Sequence, residues 1–405
     1  MRWDAELRRE LDGLGGQGLL RTLRTASRAG PRVEMAGREC LNLCSNDYLG
    51  LTQHPAVIRA AAEAAQAYGA GAGASRLVSG TLAIHEELEQ ALADFKGTQA
   101  AVVFTTGHAA NLGTIPALVG REDLVICDKL NHASLIDACR LSGARLRVYA
   151  HRDLGKLASL LQRSGDFSRT LVVTDGVFSM DGDLAPLPGI LSLADEHGVV
   201  RQAHHPEQGR GAVVMVDDAH GTGVMGPGGR GTVQHFGLDT DRFINMGTLS
   251  KALGSLGGYI AGSRTLISYL YNRARSFIYS TALPPASAGA ALAALRVVRE
   301  QPEVRAQLWR NVGALRAALR RLGLEPVSDD SHLSAVIIGE AEAASRLSQA
   351  LLERGVFVAA IRPPTVPAGT SRLRITVTAA HTLDDVAHFA QAMQEAMEEV
   401  GLPHA

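Results

Sequence analysis

Between about residues 55 and 265 the chain alternates two kinds of segment, and this alternation constrains the fold more than any other feature. Helix-period stretches such as PAVIRAAAEAAQAYG and HEELEQALADFKG are separated by short apolar, β-branched runs: AAVVFTT, DLVICD, RLRVYAH, TLVVTDG, AVVMVDDAH, FINMGT and GGYIAG. Runs without strict polar alternation suit strands buried on both faces, and helices interleaved between them imply a mostly parallel sheet. The expectation is an α/β protein with a mostly parallel central sheet flanked by helices. Residues 1–50 form a helical arm and a short strand at Cys40–Cys44, residues 51–283 the large domain, and residues 284–405 a smaller α+β domain. That last domain opens with a long helical region, Pro284–Leu322, interrupted near Pro302. It continues strand (SAVIIGE), helix (EAASRLSQALLERG), strand (VFVAAI), strand (RLRITVT) and helix (LDDVAHFAQAMQEAMEEV).

A chain of 405 residues is too long for one core. Its net charge of −1 carries no footprint for nucleic acid or an anionic membrane. Arginines crowd Arg305–Arg321, but at helical spacing they read as a solvated face. The four cysteines, Cys40, Cys44, Cys127 and Cys139, form no C-x-x-C pair, which suits free thiols in a reducing compartment. MRWDAELRREL is a charged amphipathic helix rather than a signal peptide, and no apolar run reaches the roughly 20 residues that span a bilayer. A cytoplasmic protein is expected.

Several signals fail on context. Gly13–Gly18 and Gly226–Gly231 both spell G-x-G-x-x-G, but a dinucleotide site needs a strand before the glycines and a helix opening from them. The first follows a charged helix; the second contains Pro227 and leads into TVQHFGLDTD, which has no helical period. His204 and His205 are adjacent, so a regular element cannot aim both at one metal. They lie in Arg201–Arg210, a polar stretch that reads as a surface loop insertion. No G-x-S-x-G elbow is present.

Four features fall at the C-terminal ends of expected strands, the edge where open parallel sheets bind ligands. Thr105–Asn111 joins a strand to a helix through Gly107, a turn whose amides suit a phosphate. VMVDDAH delivers Asp217, Asp218 and His220. A buried carboxylate needs a cationic or donor partner, and a protonated pyridine nitrogen is one; alternatively Asp217 or Asp218 caps the following turn. Gly247–Lys251 ends another strand and presents Lys251 among small residues, where a low-dielectric pocket favours a neutral, nucleophilic amine. Asn131-His132-Ala133-Ser134 places an imidazole that either stacks on a planar cofactor or caps a helix.

The order of these features, with NDYLGL (46–51), SRLVSGT (75–81), TDGVFSMDGDLAPL (174–187), VDDAHGTGVMGPGGRG (216–231), TLSKALG (248–254), IYSTALPP (278–285) and RLRITVTAAHT (372–382), resembles the α-oxoamine synthase family of fold-type I pyridoxal-phosphate enzymes. The resemblance covers about residues 20–395 and takes in the glycines at 226–231. It implies a pyridoxal 5'-phosphate-dependent C-acyltransferase working as a homodimer with shared active sites. Lys251 would hold the cofactor and move the α-proton; Asp217 would pair with the pyridine nitrogen. His220 would lie near the phenolic oxygen with Ser179 close by, and His132 would stack on the ring. Gly107, His108 and Thr248 would hold the phosphate, and Thr281 would reach it from the partner subunit. Arg374 would bind the substrate carboxylate, with Asn46 and Arg21 at the substrate end. The segment 360–370, which includes Thr365, is most similar to the branch that joins L-alanine to a pimeloyl thioester, on CoA or a carrier protein, in biotin synthesis. A glycine-plus-acetyl-CoA ligase, a relaxed synthase and a non-catalytic scaffold subunit are the alternatives. The pattern has departures: His108 stands where an aromatic residue is usual, and Asp175 where several relatives carry Glu.

Overall fold

The computed structural model describes residues 3–17, 19–21, 23–35, 37–202 and 211–402. Its strands run in chain order as β1 (Arg32–Met35), β2 (Arg38–Asn42), β3 (Ala100–Phe104), β4 (Leu124–Asp128), β5 (Arg145–Tyr149), β6 (Thr170–Asp175), β7 (Ala212–Asp217), β8 (Phe243–Thr248) and β9 (Gly258–Gly262). They continue as β10 (Ser334–Gly339), β11 (Val356–Phe357), β12 (Ala359–Ile361) and β13 (Ser371–Ile375). The chain divides into two units: Asn46–Ser179 with Asp183–Ala306, and the segments up to Ser45, Met180–Gly182 and from Gln307 onward.

The larger unit is built on one seven-stranded sheet of order β3-β9-β8-β7-β6-β4-β5. All seven apolar runs singled out in the sequence are its strands. β5, β4, β6, β7 and β8 are parallel; β9 runs antiparallel to both β8 and β3. Successive residues point to opposite faces, and both faces are covered. Val125, Cys127, Leu171, Val173 and Met215 enter one core, while Leu124, Ile126, Val172, Val214 and Val216 enter the other. Two buried faces explain why these runs show no polar alternation. The exception is β5: it is one of the two edge strands, and Arg145 and Arg147 of RLRVYAH are exposed, a charged edge that discourages further strand pairing.

Two boundaries differ from the sequence expectation. The helix Pro285–Glu300 belongs to the larger unit, where it packs against the helix Pro55–Tyr68; a Cβ on Gly289 would lie 2.6 Å from the carbonyl of Ala60. The segment expected as a separate arm joins the smaller unit, because β2 pairs in parallel with β11, Leu41 opposite Val356. That unit also holds an antiparallel sheet, β10-β13-β12, packed against the helix Ala341–Glu353, on which the helix Leu383–Val400 lies in turn.

The long helical region does break at a proline, into Pro285–Glu300 and Pro302–Arg321. Its arginines are not all solvated. Arg305 and Arg316 are buried and act as carbonyl clamps: Arg305 donates to the carbonyls of Val298 and Pro227 at 3.1 and 2.8 Å, and Arg316 to those of Asp329 and Leu333 at 3.0 and 3.2 Å. Helical periodicity alone does not separate a charged face from one that reaches loop carbonyls.

The N-terminal helix is Asp4–Gly16, so Gly13, Gly15 and Gly16 end a helix and follow no strand. In the other glycine motif, a Cβ on Gly231 would come within 1.5 Å of the Asp218 carboxylate, which accounts for a glycine there without any nucleotide. The insertion 201–210 lies outside the described residues except for 201 and 202, the backbone end of the helix Leu187–Gln202. Among the described residues no disulfide forms, no helix is long and apolar enough to cross a membrane, and no cluster of three or more His, Cys, Asp or Glu residues could hold a metal ion.

Candidate active site

β6, β7 and β8 end side by side, and that edge collects the titratable groups. Parallel register sets Asp175 beside Asp217, and Asp217 beside Met246. Asp217 is buried. One carboxylate oxygen accepts the Ala219 amide at 3.0 Å, so it does cap the turn; the other accepts Nδ2 of Asn111 at 2.8 Å. Asn111 spends its second amide hydrogen on Ser134 Oγ at 2.9 Å, and that hydroxyl lies 2.8 Å from His132 Nδ1. The Ser134 amide also donates to His132 Nδ1, at 3.2 Å. His132 therefore accepts at Nδ1 and carries its neutral-state proton on Nε2. It caps the helix Ala133–Leu141 and is exposed, which leaves a ring face open to a planar ligand. Desolvation, reinforced by the charges of Lys251 and His108, lowers its pKa against the opposing pull of Asp217, favouring the neutral ring.

Asp175 is buried beside this carboxylate and accepts the His132 amide at 2.7 Å. Burial first, and the charge of Asp217 next, push its pKa well above the usual carboxylate range, favouring the protonated acid. The shorter acid thus anchors the backbone of His132.

Lys251 follows β8. Its Nζ lies 2.9 Å from His220 Nε2, and His220 Nδ1 lies 2.5 Å from the hydroxyl of Tyr48. Tyr48 is fully buried and donates to Asn46 Oδ1 at 3.1 Å, so Asn46 supports this chain of groups.

The strand-to-helix turn at Gly107 forms as expected. The helix Gly107–Leu118 opens directly after β3, and its cap Thr106 accepts the Ala109 amide at 3.0 Å. The amides of Gly107 and His108 are the first of the helix and have no acceptor within it. Thr248 adjoins them: a Cβ on Gly107 would lie 3.6 Å from Thr248 Oγ1, which donates to the Gly257 carbonyl and sits 2.8 Å from Ser250 Oγ. His108 is exposed.

Lys251, Asp217, His220, His132, Gly107, His108, Thr248 and Asn46 thus share one edge of the larger unit. Ser179 is half-buried in the segment after β6, and no hydrogen bond among the described residues ties it to His220. Thr281 is exposed beside Ser75, with which it forms an antiparallel bridge. Arg374 on β13, Thr365 and Arg21 belong to the smaller unit. Sequence reading gave no role to Tyr48, Asn111 or Ser134. A signal existed for two of them: Asn111 stands four residues after Gly107 on one helix face, and Ser134 two residues after His132.

This site holds what pyridoxal phosphate requires. It offers an amine for the aldehyde, a buried carboxylate with only neutral hydrogen-bond donors for the ring nitrogen, an exposed imidazole for the ring face, and a helix N-terminus with a hydroxyl for the phosphate.

Residues 38–393 match the family described as aminotransferase class I and II. The chain is 50% identical over 397 residues to the 8-amino-7-oxononanoate synthase of Geobacter sulfurreducens, covering 97% of this chain and 98% of that protein. It is 47% identical over 395 residues to the synthase of Symbiobacterium thermophilum, covering 97% of each. Among solved structures it is similar to an SPT structure holding PLP, with a TM-score of 0.90, 34% identity and 99% of each chain covered. It is also similar to the 8-amino-7-oxononanoate synthase of Francisella tularensis, with a TM-score of 0.74, 28% identity, and 89% of this chain and 98% of that one covered.

Proposed function

Since the chain belongs to the class I and II aminotransferase family, and within it to the α-oxoamine synthases, we propose that it condenses L-alanine with a pimeloyl thioester, with loss of CO2, to form 8-amino-7-oxononanoate. It is a pyridoxal-phosphate-dependent C-acyltransferase of biotin synthesis. The observation that carries the reading is the single edge on which Asp217, Lys251, His220 and His132 meet, in a chain half identical over its length to such synthases.

When bound, pyridoxal phosphate supplies an electron sink for the pair left at the amino acid Cα. Asp217, acceptor of the Asn111 amide, would pair with the ring nitrogen. His132, fixed through Ser134 and through its amide on Asp175, would cover one ring face. Lys251 Nζ takes the Cα proton and returns it after CO2 leaves; His220 Nε2 holds that amine in place. Gly107, His108 and Thr248 anchor the phosphate. On the resemblance alone, Ser179 assists at the phenolic oxygen, Arg374 binds the amino-acid carboxylate by a bidentate pair, and Arg21, Asn46 and Thr365 serve the substrate end. The working unit is a homodimer in the cytoplasm, with Thr281 contributed across to the partner's phosphate.

A matrix of amino acids against acyl thioesters, read by product mass, tests the reading. Alanine with pimeloyl-CoA or a pimeloyl carrier protein should give the highest kcat/KM; a preference for glycine with acetyl-CoA would overturn the substrate assignment. Lys251→Ala should abolish both turnover and the visible absorbance of the lysine-bound cofactor.

A further inference from the structure

His220 turns Nε2 rather than Nδ1 to Lys251. Imidazole has two nitrogens, and in the neutral ring one donates while the other accepts. Tyr48 has one hydroxyl hydrogen, and Asn46 Oδ1, 3.1 Å away, can only accept it. With its hydrogen given to Asn46, its oxygen accepts from His220 Nδ1, 2.5 Å away. His220 then carries its proton on Nδ1 and presents a bare Nε2 to the Lys251 amine at 2.9 Å.

The surroundings hold this arrangement rigidly. Asp47 pins the loop that carries Tyr48, with one oxygen accepting the Leu51 amide at 2.8 Å and the other the Thr52 amide and hydroxyl at 3.1 and 2.5 Å. That loop lies directly against the lysine turn. Gly254, whose amide donates to the Lys251 carbonyl, has φ +59, and a Cβ there would come within 2.6 Å of the Thr52 amide. Tyr48 is fully buried and His220 nearly so, so water does not compete for Nδ1.

We propose that Tyr48 is a positioning residue that fixes the tautomer of His220, so that a bare Nε2 receives the Lys251 amine and aims it at the reacting carbon. The catalytic consequence rests on the condensation reading above; the tautomer itself does not. Tyr48 touches neither the reacting atoms nor the phosphate turn.

The test uses protein labelled with 15N-histidine, free of cofactor and at neutral pH, with the His220 signal assigned by its loss in His220→Asn. The expected wild-type spectrum shows Nδ1 protonated and Nε2 bare. In Tyr48→Phe that preference should be lost. In the holoenzyme the same variant should lower kcat by about fivefold to tenfold, the rate equivalent of one neutral hydrogen bond, with KM for the amino acid changed less than about twofold. A wild-type His220 protonated at Nε2, singly or together with Nδ1, overturns the proposal, and that measurement stands even where Tyr48→Phe does not fold. A folded Tyr48→Phe with unchanged shifts and unchanged kcat also overturns it. Wild-type enzyme that makes no condensation product while showing the expected tautomer would instead break the functional reading and leave the tautomer assignment intact.

Discussion

Asp217 and Asp218 are consecutive, both buried, and answered in opposite ways. Asp218 faces Lys96, itself buried, with Nζ 3.2 Å from its Oδ2, and also accepts the Thr232 amide and hydroxyl. Desolvation works against the Lys96 charge, but Tyr259 and Asp218 outweigh it and raise its pKa. Asp217 accepts hydrogen bonds from an Asn amide and a backbone amide, both neutral donors. A buried carboxylate satisfied by neutral donors retains a charge that attracts a cation, and this one stands at the strand edge beside Lys251 and His132. The protein sets one carboxylate against a buried cation and leaves the other to neutral donors at the strand edge.

Predictions that break or sharpen this contrast run from the largest effect to the smallest. Lys96→Ala strands the Asp218 charge and should lower the unfolding free energy by about 3–5 kcal/mol in urea denaturation. A loss below about 1 kcal/mol would mean the pair is not the structural half of the contrast. Asp217→Asn should leave unfolding within about 1 kcal/mol but cut turnover and alanine α-proton exchange by about 10²–10³-fold. Exchange at the wild-type rate would remove Asp217 from its role. Asn111→Ala removes one neutral donor from Asp217 and should slow turnover by about tenfold; equal slowing in Ser134→Ala would place the effect at His132 instead.

A third arrangement uses a titratable cation. His151 lies 3.0 Å from Asp128 and 2.7 Å from Asp183, with Phe178 edge-on to its ring at 4.4 Å. Desolvation disfavours the imidazolium, but hydrogen bonds to the two aspartates outweigh it and lift its pKa to about 9. The folded pKa exceeds the unfolded value of about 6.5, so this stabilisation is complete below about pH 6.5 and is lost as pH rises through about 9. His151→Gln should therefore be less stable than wild type at pH 6 and equal to it at pH 10, by urea midpoint. A gap that persists at pH 10 would assign the effect to packing on Phe178.

Much of this was legible in the chain. Apart from β5, the strands of the large sheet could be read because burial on both faces writes a local apolar signature. Lys251, Asp217 and His220 could be read because each sits at the end of such a strand. Lys96, Tyr48 and Asn111 could not. Lys96 resembles any helical lysine beside a C-terminal glycine, and its partner is 122 positions away; Tyr48 and His220 are 172 apart. The arginine-rich helix misled for the same reason, since the carbonyls that bury Arg305 and Arg316 come from loops outside its periodic pattern.

By itself, then, the sequence determined the succession of strands and helices along the chain and which residue types arrive at the C-terminal strand ends, because these depend on local burial patterns and turn chemistry. Only the tertiary structure decided which of two adjacent aspartates is neutralised and which nitrogen of His220 faces Lys251. Those outcomes depend on hydrogen-bond partners brought together from distant segments, and no local pattern encodes the meeting.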